Sequence, residues 1–161
     1  MTITELYKSG AKIGKNVSFI SPIHPNIFSS EPYLITIGDN TTISFDVVFC
    51  TRDGATRVLR NLATNDNDKQ IVIYKPIKLG KNCFIGCRSV ILAGVTIGDN
   101  CIIGASSLVT KDMPANTVCG GNPCNVICTL DEYKQKHKNE FLYCVDMSVK
   151  QKRAYLTSLL P

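Results

Sequence analysis

The feature that most restricts the fold is a repeat of six residues. From Leu79 the chain divides into LGKNCF, IGCRSV, ILAGVT, IGDNCI, IGASSL and VTKDMP, and each hexapeptide begins with an aliphatic residue. If about a quarter of residues are aliphatic, six such starts in a row arise by chance on the order of once in several thousand trials. The same phase occurs earlier, because Ile13, Ile37 and Leu79 are separated by 24 and 42 residues, both multiples of six. The repeat therefore extends through most of the chain.

A period of six fits neither an amphipathic helix nor simple strand alternation. It suits a short strand followed by a turn, with the aliphatic residue pointing inward. The glycines at 80, 86, 98 and 104 and the Asp-Asn or Lys-Asn pairs tolerate left-handed backbone, so they predict corners. Three sides make a coil of about eighteen residues, and stacked coils form a parallel β-helix. The alternative, a string of hairpins, is disfavoured by the unbroken phase. We predict an all-β fold.

One long stretch carries a family resemblance. The segment IGCRSVILAGVTIGDNCIIGASSLVTKDMPANTVCGGNPCNVI resembles the hexapeptide-repeat acyltransferases, specifically the branch that acetylates hydroxyls of maltose, galactosides or capsular polysaccharides. The resemblance covers residues 13–128 and implies a left-handed parallel β-helix, an exception to the usual right-handed crossover. It also implies a homotrimer with active sites between neighbouring subunits, acetyl-CoA as the donor and no metal.

The interruptions of the repeat predict the organisation of the chain. Residues 1–12 are a lead-in, 13–128 form the β-helix, and 129–161 form a C-terminal helical cap with Thr129 and Ser148 at the helix starts. Residues 54–75 break the repeat as a protruding loop that helps to shape the trimer cleft, or as a disordered surface excursion. We expect apolar residues of the tail to cover the open end of the coil or to contact another subunit: Tyr133, Phe141, Leu142 and Val145.

Composition excludes several classes. The net charge of +5 is modest and no basic stripe is interleaved with aromatics, so nucleic acid is not an expected partner. No stretch approaches the ~20 apolar residues of a membrane span, and the N-terminus lacks a signal peptide's apolar centre, so we expect a cytoplasmic protein. Cys83, Cys87 and Cys101 take repeat positions that elsewhere hold small residues, and they predict buried, reduced thiols rather than a zinc site.

The expected catalytic position holds an unexpected residue. Acetyl transfer to a hydroxyl needs a base for the hydroxyl proton and donors for the oxyanion. The resemblance implies a histidine base in a Thr-His-Asp string, whereas this chain has Thr51-Arg52-Asp53. A guanidinium cannot accept a proton, and we expect Asp53 to pair with it. Three interpretations stay open: catalysis is weak, another base is used, or Arg52 and Asp53 are a structural pair in a protein with another role.

Other groups can be considered for the missing base. His24 belongs to the coil before that of Arg52 and could lie above or below Arg52 across the cleft. Glu31 is a second candidate, because the pKa of a half-buried carboxylate can be raised until it acts as a base. His137 lies in the charged tail and is expected to be solvated. Arg52 itself could bind the oxyanion or an acidic group of the acceptor. The resemblance places Asn26 where a side chain contacts acceptor or donor.

The resemblance also implies a donor site along the late coils. The corresponding positions, where pantetheine meets the coil corners, are Cys87, Ala105, Ser106, Thr110 and Lys111. Small residues at 105 and 106 allow close approach, and Lys111 can meet a phosphate. Asn125 and Cys128 stand where the family usually has basic residues, and each lost phosphate contact costs about 1.5–3 kcal/mol. Lys75, Lys81 or tail lysines could compensate.

These observations predict an O-acetyltransferase that moves an acetyl group from acetyl-CoA to a saccharide hydroxyl, with low activity because Arg52 replaces the histidine. The alternative is a non-catalytic trimeric β-helix that binds or scaffolds. A β-helix carbonic anhydrase is excluded, because it needs three zinc-binding histidines and this chain has two.

Overall fold

The strands of this chain are short and stack in parallel. A computed structural model describes residues 2–159, with the side chains in that range except those of residues 3, 25 and 26. Its strands and helices run in this order: α1 (Ile3–Lys8), β1 (Lys12–Ile13), β2 (Ser18–Phe19), β3 (Ile35–Ile37), β4 (Thr42–Ile43), β5 (Val48–Cys50), β6 (Arg52–Asp53), α2 (Thr56–Asn61), β7 (Ile73–Tyr74), β8 (Ile77–Leu79), β9 (Phe84–Ile85), β10 (Val90–Leu92), β11 (Thr96–Ile97), β12 (Ile102–Ile103), β13 (Leu108–Val109), β14 (Thr117–Gly120), β15 (Asn125–Thr129), α3 (Leu130–His137) and α4 (Val149–Leu159). Short 3₁₀ turns cover Pro25–Phe28, Pro32–Leu34 and Asp68–Gln70.

Three parallel sheets form the sides of the coil. Side 1 contains β1, β3, β8 and β11; side 2 contains β2, β4, β9, β12 and β14, with β15 added antiparallel; side 3 contains β5, β10 and β13. The chain visits sides 1, 2 and 3 in turn. Leu79 pairs with Ile97, and Ile91 with Val109, so partners are eighteen residues apart. The all-β class and the eighteen-residue coil are confirmed.

Two insertions account for the longer early spacings. Ile13 pairs with Ile37 and Ile43 pairs with Ile85, which reproduces the 24- and 42-residue offsets. The first insertion lies on side 3, where the 3₁₀ turn Pro25–Phe28 replaces a strand and the Phe28 ring stacks 5.3 Å from that of Phe49. The second is residues 54–75.

The inward side chains form the core. Aliphatic residues that begin the hexapeptides, such as Ile85, Ile91 and Ile103, are fully buried. The small residues two places earlier donate hydrogen bonds to the coil above. Cys83 Sγ lies 3.2 Å from the Gly98 carbonyl oxygen, and Ser89 Oγ lies 3.1 Å from that of Gly104. The buried cysteines thus act as weak donors as well as small apolar groups, and all eight thiols are free.

Two positions of the repeat have different roles at the corners. The left-handed conformation belongs to the fourth residue, as at Asn82 with φ of 53° and Asn100 with φ of 56°. The glycines of the second position do not adopt it, contrary to our expectation. Gly80 is needed for close approach instead, because a Cβ there would lie 2.4 Å from Asp99 Oδ1 and 2.6 Å from the Asp99 amide nitrogen.

The two ends of the coil are closed differently. At the start, Leu6 of α1 is fully buried and the Tyr7 hydroxyl donates to the Ile13 carbonyl at 2.9 Å. At the other end, the fully buried Cys124 donates its amide to the Leu108 carbonyl oxygen at 2.8 Å.

The C-terminal helices start where predicted but lie on the surface. Thr129 forms a capping box with Glu132, and the Ser148 hydroxyl accepts from the Gln151 amide at 3.3 Å. Neither α3 nor α4 buries a residue, and Tyr133, Phe141, Leu142 and Val145 are 36–87% exposed. Their covering role therefore stays a prediction about another subunit. Within residues 2–159 no helix has the length and apolarity to cross a membrane.

Candidate acceptor and donor sites

The segment Thr51–Asp53 lies where the chain leaves side 3 for side 1, which we call the exit corner. Thr51 points inward and is fully buried, whereas Arg52 and Asp53 are exposed in β6. The strand β6 pairs antiparallel with β7, so residue 52 faces residue 74. The Lys75 amide then donates to the Thr51 carbonyl at 3.0 Å. The long loop therefore leaves and returns at the same corner.

A groove of about 200 Å³ opens at this corner. It is bounded by the two strands of the loop base and by the outer face of side 3, and its lining residues are Cys50, Arg52, Asp53, Ile73, Lys75, Leu92 and Ala93. Burial raises the pKa of the Cys50 thiol, so this cysteine remains protonated. The charged groups of the groove are thus one carboxylate and two cations.

The expected pairing of Arg52 with Asp53 is not found. Asp53 Oδ1 accepts the Ala55 amide at 2.9 Å, while the Asp53 carbonyl accepts the Thr56 hydroxyl at 3.0 Å. The Arg52 guanidinium carbon lies 5.8 Å from the centre of the Tyr74 ring, within cation–π range. The prediction was wrong because adjacent strand residues point to opposite faces.

The two alternative bases lie at opposite ends of side 3. The turn Pro25–Phe28 runs from β2 on side 2 to β3 on side 1 and packs beneath β5. His24 precedes this turn and is exposed at the corner between sides 2 and 3, the entry corner. Glu31 lies three residues after Phe28, as Arg52 lies three residues after Phe49, and the stacking of the two phenylalanine rings puts Glu31 at the exit corner one coil from Arg52. Asn26 belongs to the turn, but its side chain lies outside the described part of the chain.

Glu31 has an unusual environment for a carboxylate. It is 8% exposed, and the Ser30 hydroxyl donates to Oε1 at 2.5 Å. Among the described residues, Oε2 is buried without a hydrogen-bond partner, as is Thr51 Oγ1 of the next coil. A buried acceptor without a partner is costly. Oε2 of Glu31 therefore has free lone pairs but no contact with solvent.

The predicted donor residues occupy both corners of side 3. Cys87, Ala105 and Ser106 lie at the entry corner, where the Ser106 amide donates to the Cys87 carbonyl at 2.8 Å. Thr110 and Lys111 lie at the exit corner, and both are exposed. The outer face of β10 and β13 connects the two groups.

Lys111 stands in the same column as the groove. Leu92 pairs with Cys50, and Ile91 with Val109, so residues 51, 93 and 111 follow one another in successive coils. At a strand spacing of about 4.8 Å, Lys111 is roughly 10 Å along the coil axis from Thr51. Lys111 Nζ donates to Asn125 Oδ1 at 2.8 Å. Asn125 occupies a position where a basic residue was expected, and its side chain holds Lys111 in place.

Two neighbours of Arg52 were not predicted to lie beside it: Tyr74, whose ring contacts the guanidinium, and Lys75, which lines the groove. Tyr74 and Lys75 are more than twenty positions away, across the loop. One signal could have located them: the repeat resumes on side 1 at Ile77, so the residues just before it must return to the exit corner. Within residues 2–159 no group of three or more His, Cys, Asp or Glu side chains is arranged to hold a metal ion.

Comparison with known proteins places these features in a family. Residues 76–111 match the bacterial transferase hexapeptide family (six repeats). The chain is 41% identical to protein CapG of Staphylococcus aureus, over 94% of this chain and 85% of CapG. It is 38% identical to the galactoside O-acetyltransferase of Escherichia coli K12, over 89% of this chain and 65% of that protein. A galactoside acetyltransferase solved in complex with coenzyme A superposes with a TM-score of 0.53 at 26% identity, over 91% of this chain and 76% of that one.

The chain therefore belongs to the hexapeptide-repeat acyltransferases. Within them it falls in the branch of the sugar O-acetyltransferases, as predicted. The expected enzyme class, an acyltransferase, is confirmed with it. The donor expected here is the one bound in two neighbours of 26% identity, a hexapeptide-repeat acetyltransferase of Vibrio cholerae solved with acetyl-CoA and the galactoside acetyltransferase solved with coenzyme A.

Proposed function

We propose that this chain transfers the acetyl group of acetyl-CoA to a hydroxyl of a saccharide. The observation that carries the proposal is the shared position of the groove and the donor residues. Both border the outer face of side 3, and Lys111 lies in the same column as Thr51, the residue before Arg52. The relative solved with coenzyme A supports the donor. We further propose a left-handed coil, a homotrimer with clefts between subunits, and a cytoplasmic location.

The reaction assigns separate tasks to these residues. The acceptor hydroxyl oxygen attacks the thioester carbonyl, a carbon–oxygen bond forms, and CoA leaves as the thiolate when the carbon–sulfur bond breaks. Ala105 and Ser106 let the pantetheine approach the coil, and Lys111 meets a phosphate. Arg52 cannot take the hydroxyl proton. It can donate hydrogen bonds to the oxyanion or the acceptor.

The proton acceptor is the open part of the mechanism. Glu31 lies at the same corner as Arg52 and keeps one carboxylate oxygen free, but it must become accessible before it can act. His24 is exposed already, at the other end of side 3. Glu31→Gln and His24→Gln separate these possibilities, with His137→Gln as the control on α3. Loss of 10²–10⁴ in turnover identifies the base.

One observation favours a second function, a non-catalytic trimeric protein that binds or scaffolds. Arg52 replaces a titratable base, and Asn125 and Cys128 replace basic residues near the proposed phosphate position. Such a protein would retain the coil and the groove without turning over acetyl-CoA.

Calorimetric titration with CoA tests the first function. The titration is made at two temperatures, because apolar burial makes the binding enthalpy depend on temperature and it can be near zero at one of them. We expect heat of binding at one temperature or at both. No heat at either temperature at millimolar CoA contradicts the donor site and the transferase. If CoA binds, thiol release from acetyl-CoA in the presence of saccharides distinguishes turnover from binding alone.

A further inference from the structure

The groove at the exit corner contains two cations that the chain leaves without an ionic partner. The ion pairs found in the described part of the chain are Lys69 with Asp66 and His137 with Glu140, both away from the groove. Arg52 and Lys75 form none. Asp53, the carboxylate of the groove, is engaged by the Ala55 amide and fixes the start of the loop.

Both cations are positioned rather than loose. Arg52 is held over the Tyr74 ring, which leaves its N–H groups available. The main chain of Lys75 is fixed by the hydrogen bond that its amide donates to the Thr51 carbonyl, and its side chain passes beside Gly94. A Cβ on Gly94 would lie 3.0 Å from Lys75 Cδ, and Gly94 has a φ of 90°. The glycine therefore makes room for the lysine stem against the coil.

Two fixed cations without a carboxylate partner favour an anionic group. A guanidinium matches a planar carboxylate with two parallel hydrogen bonds, and a lysine adds a point charge. At about 200 Å³ the groove is smaller than the 300–1,000 Å³ of typical drug-sized pockets. It suits one sugar ring better than the nucleotide of CoA, and Lys111 is available for phosphate about 10 Å along the coil axis.

We infer that the acceptor is an acidic saccharide whose carboxylate binds Arg52 and Lys75. This inference rests on the proposed function of acetyl transfer to a sugar hydroxyl. Arg52 stands where the family places its catalytic base. A uronic acid held there by its carboxylate presents a ring hydroxyl within a few ångströms of the reacting position. The arginine would thus determine specificity at a place where other chains use a base.

The test compares two ligands that differ in the carboxylate. Trigalacturonate and its carboxyl-reduced counterpart, neutral trigalactose, are titrated into the full chain without CoA. We expect the wild type to bind trigalacturonate at least 10-fold more tightly, and Arg52→Gln or Lys75→Gln to remove that preference. Lys78→Gln, an exposed cation on the outer face of side 1, is the matched control and should keep it. Equal affinity of the wild type for the two ligands overturns the inference.

A second arm separates the carboxylate from the phosphates of CoA. CoA is titrated into the same variants, and its dissociation constant should change less than 3-fold with Arg52→Gln or Lys75→Gln. A loss of 10-fold or more in CoA affinity would mean that these cations bind the donor, which also overturns the inference. Failure of the wild type to bind CoA contradicts the proposed function instead. The trigalacturonate preference is measured without CoA and is decided separately.

Discussion

Arg52 is the residue on which the activity of this chain depends most. It lines the groove between β6 and the outer face of side 3, yet its side chain is permanently charged and lies against Tyr74. A site that keeps its geometry but lacks the base should have lost the proton-transfer part of its rate enhancement and retained the part that comes from holding the reactants together.

Arg52→His should restore the part of the rate enhancement that comes from proton transfer. With acetyl-CoA and a neutral saccharide, we expect turnover to rise by about 10²–10⁴, the usual contribution of general base catalysis. The rate should increase with pH through about 6.5, where an ordinary imidazole loses its proton and becomes an acceptor. Thiol release measures it, and Arg57→His on the exposed face of α2 is the control. Substantial wild-type turnover that the substitution leaves unchanged would show that another residue is the base.

Gly80 shows how closely the coils approach each other. We expect Gly80→Ala to destabilise the chain by about 1–3 kcal/mol, because the new methyl group would lie 2.4 Å from Asp99 Oδ1 and beside its amide. Gly54→Ala is the matched control, since a Cβ there meets nothing within 4 Å. Thermal unfolding of both at equal protein concentration measures the difference. Equal midpoints would mean that the coils can separate at that corner without cost.

A residue's position could be predicted from the sequence only where the residue belongs to the six-residue repeat or directly follows it. Thr51 and Arg52 could be located because they follow an intact hexapeptide in register. Lys75 could not be placed beside them, because its approach depends on the path of a loop that no period describes. The Arg52–Asp53 pairing failed because β6 was not foreseen as a strand. The roles of Cys87, Ala105, Ser106, Thr110, Lys111, His24, Glu31 and Asn26 stay predictions.

The strands are too short to be stable alone, and their stability comes from stacking. Each parallel strand before β14 contributes two or three residues to a sheet whose other strands come from the adjacent coils. The corners add a ladder of side-chain amides: Asn82 Nδ2 donates to Asn100 Oδ1 at 2.8 Å, and Asn100 Nδ2 donates to Asn116 Oδ1 at 2.9 Å. The parallel pairing of strands repeats from each coil to the next. This is why the coil could be predicted from one sequence, including the size of its insertions.

The helix α3 provides a test that depends on pH. The Thr129 amide and hydroxyl donate to Glu132 Oε2 at 2.7 and 2.9 Å and lower the pKa of that carboxyl. A lowered pKa stabilises the folded helix start above the ordinary value of 4.5, and this stabilisation disappears as the pH falls through the lower folded value. Hydrogen exchange of the first-turn amides of α3 should therefore accelerate below about pH 4.5, after correction for intrinsic rates. Glu132→Gln should remove this dependence, and an unchanged profile in the variant would contradict the role of the carboxylate.

Considered as a whole, the single chain exposes many large apolar side chains, and the most exposed of them lie mainly in the loop and in the tail. The loop presents Val58, Leu59 and Leu62, which are 56–74% exposed, and the tail presents Tyr143 and Val145 at 85% and 87%. Exposed apolar groups clustered in this way mark contacts with other chains. The repeat predicts the coil but contains no information about these segments, because neither of them follows the six-residue period. They are the surfaces that the proposed trimer would cover.

Leu62→Asp should weaken that trimer. Leu62 is 74% exposed at the end of α2, so the substitution removes apolar area and adds a charge without disturbing the coil. We expect sedimentation velocity to show a wild-type trimer at micromolar concentration and a shift of the variant towards monomer on tenfold dilution. Asn61→Asp adds the same charge one residue earlier on an exposed position and should remain trimeric. A monomeric wild type would contradict the trimer itself, whereas a trimer that tolerates Leu62→Asp would show that the loop lies outside the interface and that the tail supplies the contacts.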